Sequence, residues 1–89
     1  MSNIQLNSIQ ARVKSLAENV VLKDKMERMV ILQEMTKLNQ QLTTEEQLQL
    51  VMAIETLPAI RFLAASGIRG DARIALFART AVLEKQLKQ

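Results

Sequence analysis

The residues that interrupt helices are confined to one short stretch of this sequence. Its single proline and its two glycines are Pro58, Gly67 and Gly70, so residues 1–57 contain neither. Proline and glycine are the residues that a helix interior tolerates least, and their absence favours long helical segments. The sequence therefore predicts a helical chain whose sharpest turns lie between residues 58 and 70.

Apolar residues recur at helical spacing in the first half of the chain. Two stripes have steps of four, three and four residues: Ile9, Val13, Leu16 and Val20, and then Ile31, Met35, Leu38 and Leu42. Such steps place side chains on one face of a helix. One helix from Ile4 to Gln41 and two helices separated near residues 19–23 both fit. We favour two helices, with Asn19 in a left-handed cap conformation, because a helix of such length is unusual in so small a domain.

A helix start follows at the threonine pair. Thr43 with Glu46, or Thr44 with Gln47, forms a capping box, in which the hydroxyl and the side chain three residues later each bind a backbone N–H. The helix that begins here carries Leu48, Leu50, Val51, Met52, Ile54 and Leu57, and we expect it to be largely buried. Its end is predicted near Pro58, which suits the first turn of a new helix.

The remaining turns predict the last two helices. Gly67 fits a left-handed helix end after a short helix to Ala65, with Ile68 folding back onto Leu63. Asp71 is a good N-cap for a final helix from Ala72 to about residue 88. In that helix we expect one side lined by Leu76, Leu83 and Leu87, with Ile74, Phe77 and Ala81 beside them.

The fold prediction is an all-α, compact bundle of four to five helices that forms one domain over residues 1–89. With 2% aromatic residues, the core must be aliphatic. A chain this short buries a modest share of its surface, and small proteins usually add a disulfide, a metal or a partner chain. Since the sequence has no cysteine and no histidine, we expect self-association, as a homodimer.

Missing residue types argue against an enzyme. Without histidine or cysteine, neither a Ser-His-Asp nor a Cys-His site can form. The adjacent acids Glu45 and Glu46 are explained by the helix start, and the chain has no glycine-rich phosphate loop. We therefore predict no catalytic residues, no cofactor and no metal.

A surplus of apolar helix surface predicts binding to a protein. Residues 29–32 are apolar around most of a helical turn, which is wider than one small core covers from one side. Methionines at this spacing often belong to a core, but flexible thioethers also suit a surface that adapts to a partner. The predicted interface, for a second copy of the chain or for another protein, consists of Met26, Met29, Val30, Ile31, Met35, Leu38 and Leu42. We interpret the chain as a small regulatory or adaptor protein that docks an amphipathic helical face.

An excess of basic residues in the last third supports an alternative, a DNA-binding regulator. From Leu57 onward the chain has six basic and two acidic residues. The predicted phosphate contacts are Arg61, Arg69, Arg73 and Arg79. However, the segment after the turn offers one arginine to the bases, where a recognition helix needs several polar side chains. We also expect both phenylalanines on apolar faces, where they offer no stacking platform to single strands.

The chain shows no sequence signal for a membrane. No apolar run approaches the length of about 20 residues that crosses a bilayer. Residues 1–6 lack the cationic and apolar regions of a signal peptide. We therefore expect a cytoplasmic protein that does not contact the membrane.

Overall fold

The structure, a computed structural model, describes residues 5–87. Within them the chain forms five α-helices and no strand, packed as a compact globule, which confirms the predicted all-α bundle. The elements are α1 (Ser8–Asn19), a 3-10 turn (Val20–Leu22), α2 (Lys25–Gln40), α3 (Thr44–Ala53), α4 (Leu57–Ala64) and α5 (Gly70–Leu87). The predicted helix start at Ile4 and the predicted helix end near residue 88 lie outside the described residues.

The first helix begins later than predicted because of a capping box that the sequence analysis missed. The Asn7 side chain accepts a hydrogen bond from the Gln10 N–H at 2.8 Å. The Gln10 side-chain oxygen in turn accepts from the Asn7 N–H at 2.7 Å. Gln10 takes the place that glutamate often has in this reciprocal motif. The two hydrogen bonds make Asn7 the N-cap of α1.

The break between α1 and α2 is where it was predicted, but its conformation differs. Asn19 is right-handed, with φ −93° and ψ −3°, so the predicted left-handed cap is wrong. The chain tightens into the 3-10 turn instead, and Asp24 then caps α2 by accepting from the Glu27 N–H at 2.9 Å. The Arg28 Nε donates to the Val20 carbonyl at 3.2 Å, which ties the start of α2 to the turn.

Two of the later signals are confirmed. Thr43 is the N-cap of α3, and its capping box with Glu46 is complete, which selects the first of the two predicted registers. The chain restarts as α4 with Pro58 in the first turn, after three non-helical residues.

The turn between α4 and α5 is confirmed in part. Gly67 is left-handed with φ 84°, and Ile68 is buried in the same apolar cluster as Leu63. A second left-handed residue, Gly70 with φ 55°, then leads the chain directly into α5. Asp71 therefore lies in the first turn of that helix, and its prediction as the N-cap is wrong.

The core is aliphatic, as predicted. Its buried members come from all five helices and from the connections between them: Val13, Ala17, Met35, Leu42, Leu50, Val51, Ile54, Leu57, Ala59, Ile60, Leu63, Ile68, Ala72, Leu76 and Leu83. Neither phenylalanine is fully buried, since Phe62 is half-buried and Phe77 is exposed. The helix α3 packs mainly against α5, whereas α1 packs against α2 and α4, so that α2 and α5 lie at different sides of the bundle.

A group of buried polar side chains joins α2 and α3 to the turn before α5. The Asn39 amide nitrogen donates to both the carbonyl and the hydroxyl oxygen of Ser66, each at 2.9 Å. The Gln47 side chain donates to the Asn39 carbonyl at 3.0 Å and accepts from the Arg69 N–H at 2.9 Å. Because buried polar groups need such partners, these bonds hold the turn in one position.

Candidate protein-interaction surfaces

The predicted interface on α2 divides into a buried part and an exposed part. Met35 and Leu42 are 0% and 3% exposed, so they belong to the core of the folded chain and are closed to a partner. Ile31 and Leu38 are half-buried and pack against the same core. The exposed part consists of Met26, Met29 and Val30, at 77%, 58% and 63%.

The exposed residues share one side of α2. Met26, Met29 and Val30 follow the spacing i, i+3 and i+4, and Met35 lies on the opposite side of the helix. We call Met26, Met29 and Val30 the α2 surface. Its position at the beginning of α2 follows from the fold, because the second half of the helix carries the residues that α1 and the turn before α5 cover.

A groove between α1 and α2 borders the α2 surface. It has a volume of about 450 Å³ and is lined by Arg12, Leu16, Lys23, Met26, Glu27, Val30, Ile31 and Glu34. From Met26 to Glu34 the α2 side of the groove extends over about 12 Å, slightly more than two helical turns. The groove therefore has the length to receive a short helical segment.

Two ion pairs form the rim of this groove. The Arg12 guanidinium contacts the Glu34 carboxylate at 3.0 Å and so joins α1 to α2. Lys23 lies 4.0 Å from the Glu27 carboxylate. With two cations and two anions, the rim carries no net charge, and apolar side chains from both helices line the same groove.

A second apolar surface, which the sequence analysis missed, lies on α5. Ile74, Phe77 and Val82 are 69%, 66% and 45% exposed, although they were predicted beside the buried side of the helix or left unassigned. The side of α5 that enters the core contains Ala72, Leu76 and Leu83. Leu87, predicted on that same side, is 72% exposed at the end of the helix.

The sequence signal that could have revealed this surface is the apolar composition of α5 around its whole circumference. Between Ile74 and Val82 the exposed apolar residues of α5 are Ile74, Phe77, Ala78, Ala81 and Val82, which recur at steps of three and four. They form a second stripe, roughly opposite the core stripe. We call these five residues the α5 surface. A helix with two apolar stripes has to bury the second one elsewhere or leave it exposed.

Three of the four predicted phosphate contacts bind oxygen atoms of the described chain. The Arg69 guanidinium donates to the Leu42 carbonyl at 2.6 Å, beyond the end of α2. The Arg79 Nε and Nη2 both donate to the Ile54 carbonyl, at 3.1 and 2.9 Å, beyond the end of α3. Arg61 lies 3.5 Å from the Glu84 carboxylate, and Arg73 is exposed with no ion pair inside residues 5–87.

Phe77 is more exposed than its predicted place on an apolar face implied. Its face of α5 is apolar as expected, but the ring is exposed and therefore accessible to a ligand. Arg73 and Arg79 are six residues apart on the same helix, which turns their directions apart by about 120°. Phe77 therefore has one exposed arginine, Arg73, one helical turn before it on the same side of α5, whereas Arg79 is bound to the Ile54 carbonyl.

No candidate metal centre and no membrane span are found in the part of the chain that the structure describes. Residues 5–87 contain no group of three acidic side chains placed to hold a metal ion. None of their helices has both the length and the apolar composition needed to cross a membrane. Comparisons with protein families, curated proteins and solved structures find no match to this chain.

Proposed function

We propose that this chain is a non-enzymatic adaptor that binds an amphipathic helix of a partner protein in the groove between α1 and α2. The observation that carries the proposal is the exposure of Met26 and Val30 beside the apolar floor formed by Leu16 and Ile31. Contiguous exposed apolar side chains that are rimmed by polar residues mark binding sites in many soluble proteins. A groove with an apolar floor and a polar rim is also a kind of surface that receives an amphipathic helix.

The charges define the partner further. Because the rim pairs Arg12 with Glu34 and Lys23 with Glu27, it attracts neither a strongly acidic nor a strongly basic segment. The expected occupant therefore has an uncharged apolar ridge of two to three residues at helical spacing. Polar residues beside that ridge would hydrogen-bond to the rim. The thioether of Met26 can adapt to more than one ridge shape.

A homodimer is part of this proposal. Two copies present two grooves, and a partner with two helices would then bind with higher avidity than either groove provides alone. Since Met35 and Leu42 are in the core, the α2 surface is too small to serve both a second copy and a partner. We therefore assign the α2 surface to the partner.

Photocrosslinking in the source cell tests the proposal. Val30 is replaced by the photoreactive residue p-benzoylphenylalanine, and the matched control carries the same residue at Met52, which is 47% exposed on α3. We expect adducts from position 30, and not from position 52, that map to an amphipathic helical segment of another protein. Adding Met26→Glu to the position 30 chain should abolish them, because a carboxylate in the groove opposes burial.

Two outcomes contradict the proposal. Equal adducts from positions 30 and 52 would mean that the α2 surface has no specific partner. Adducts from position 30 to another copy of this chain alone would return the α2 surface to the homodimer interface predicted from the sequence.

A further inference from the structure

The α5 surface has features that the proposed adaptor function does not use. It lies along the exposed side of a single helix, from Ile74 to Val82. The α2 surface, in contrast, borders a groove. The inner side of α5 is anchored in the core through Leu76 and Leu83, which hold the helix in place. The stripe is therefore presented on a fixed helix, and whatever covers it has to be long and narrow.

Two opposite charges stand at the ends of the α5 surface. Asp71 is exposed near the beginning of α5 and Lys85 is exposed near its end. Each is seven residues from Ala78, so both point within about 20° of the direction of Ala78. Within residues 5–87 neither takes part in an ion pair. One helix face thus carries an acidic end, an apolar centre and a basic end.

The order of residues along this face is self-complementary in the antiparallel direction. When two copies of α5 meet with a two-fold axis at Ala78, Asp71 of each copy lies opposite Lys85 of the other. Ile74 of each copy shares a layer with Val82 of the other, because these residues are four positions either side of Ala78. A two-fold interface requires this property, since one surface has to fit itself.

The central residues permit a close approach. Ala78 and Ala81 have the smallest apolar side chains of the stripe, and small residues bring helix axes towards the lower end of the usual 8–10 Å separation. Ile74 and Val82 then pack on either side of the axis, and Phe77 covers the edge. A parallel pair would place Asp71 beside Asp71 and Lys85 beside Lys85, which is repulsive.

We infer that α5 pairs with α5 of a second copy of this chain, antiparallel and with its two-fold axis at Ala78. This inference deepens the homodimer of the proposed function, but it does not depend on the groove between α1 and α2. It leaves that groove open in both copies.

Light scattering over a concentration series tests the pairing. We expect a dimer that Val82→Glu converts to a monomer, while Met52→Glu on α3 leaves it dimeric. Both side chains are exposed in the single chain, so circular dichroism should show unchanged helix content. A chain that is monomeric at every concentration, or a dimer that survives Val82→Glu, would overturn the inference.

Charge reversal tests the orientation. Asp71→Lys alone and Lys85→Asp alone should each weaken the dimer by about tenfold, because two ion pairs become two repulsions. The double reversal should restore it to within about twofold. Each change also places an unfavourable charge near an end of the helix dipole, and these two costs add in the double variant. Recovery of the dimer can therefore come only from the ion pairs restored across the interface. Absence of recovery would contradict the antiparallel arrangement.

A single cysteine gives an independent readout, since the natural chain has none. Ala78→Cys should form a disulfide-linked dimer on oxidation, because the axis brings this position next to itself. Ile74→Cys should not, since about 12 Å of helix rise would separate its two copies. Equal crosslinking at both positions would indicate a parallel pair. If these dimers form while photocrosslinking at Val30 finds no partner, the proposed adaptor function fails and the dimer stands.

Discussion

The helices α2 and α5 both expose apolar side chains, but they do so in different settings. On α2 the exposed residues occupy the first two turns and border a groove that α1 completes. On α5 they extend along the helix, between an acidic and a basic residue. A concave surface with its own rim suits a foreign segment, whereas a convex stripe that is self-complementary suits a second copy. Exposed apolar area alone does not distinguish these uses, and the surrounding shape and charge do.

The largest predicted effect separates the two sides of α2. Met35→Ala should lower the free energy of unfolding by about 2–5 kcal/mol, because it leaves a cavity at a side chain that is fully buried. Met26→Ala should change it by no more than about 0.5 kcal/mol. Urea unfolding followed by circular dichroism measures both. Similar losses for the two variants would mean that the α2 surface belongs to the core.

A medium effect concerns the arginines of α5. Arg79→Ala should cost about 1.5–3 kcal/mol, since the guanidinium makes two hydrogen bonds to the Ile54 carbonyl at the end of α3. Arg73→Ala, on the exposed part of the same helix, is the matched control, and we expect a change within about 0.5 kcal/mol. Thermal unfolding of dilute protein compares them. If Arg79→Ala were as mild as its control, the residue would be free for a ligand such as phosphate.

The smallest predicted effect concerns the rim of the groove. The side chains of Arg12 and Glu34 are both about half-exposed. Solvent screening therefore limits the contribution of their ion pair to stability to about 0.2–1 kcal/mol. A double-mutant cycle with Arg12→Ala and Glu34→Ala measures the coupling energy. A weak pair lets the rim rearrange around a partner at little cost. Coupling above about 2 kcal/mol would instead indicate a rigid clamp that holds α1 to α2.

The helix boundaries were predictable where one residue type determines the backbone. Thr43, Pro58 and Gly67 each act through their own chemistry, and the structure uses all three as expected. The roles of Asn19 and Asp71 were harder to predict, because each residue suits several backbone conformations and its neighbours determine which one it adopts. At Asn19 the cap of the next helix removed the need for a left-handed residue. At Asp71 the helix has already begun, because its first residue is the preceding Gly70.

The candidate surfaces were only partly predictable for a related reason. Periodicity identified the apolar face of α2, but it could not tell that Met35 points into the core and Met26 away from it. On α5 two stripes were present, and only packing against α3 and α4 decided which of them was buried. The arginines have long side chains, and their carbonyl partners, just beyond the ends of α2 and α3, are distant in sequence.

The buried amides of Asn39 and Gln47 have a consequence for the uniqueness of the native state. An aliphatic core without a buried aromatic ring can pack its helices in several registers of similar energy, since leucine, isoleucine and valine differ little in shape. A shift of α2 by one residue would take the Asn39 amide nitrogen away from Ser66 and leave that nitrogen and the Ser66 carbonyl without these partners. These hydrogen bonds thus select one arrangement from many. The fixed directions of the α2 and α5 surfaces depend on that selection.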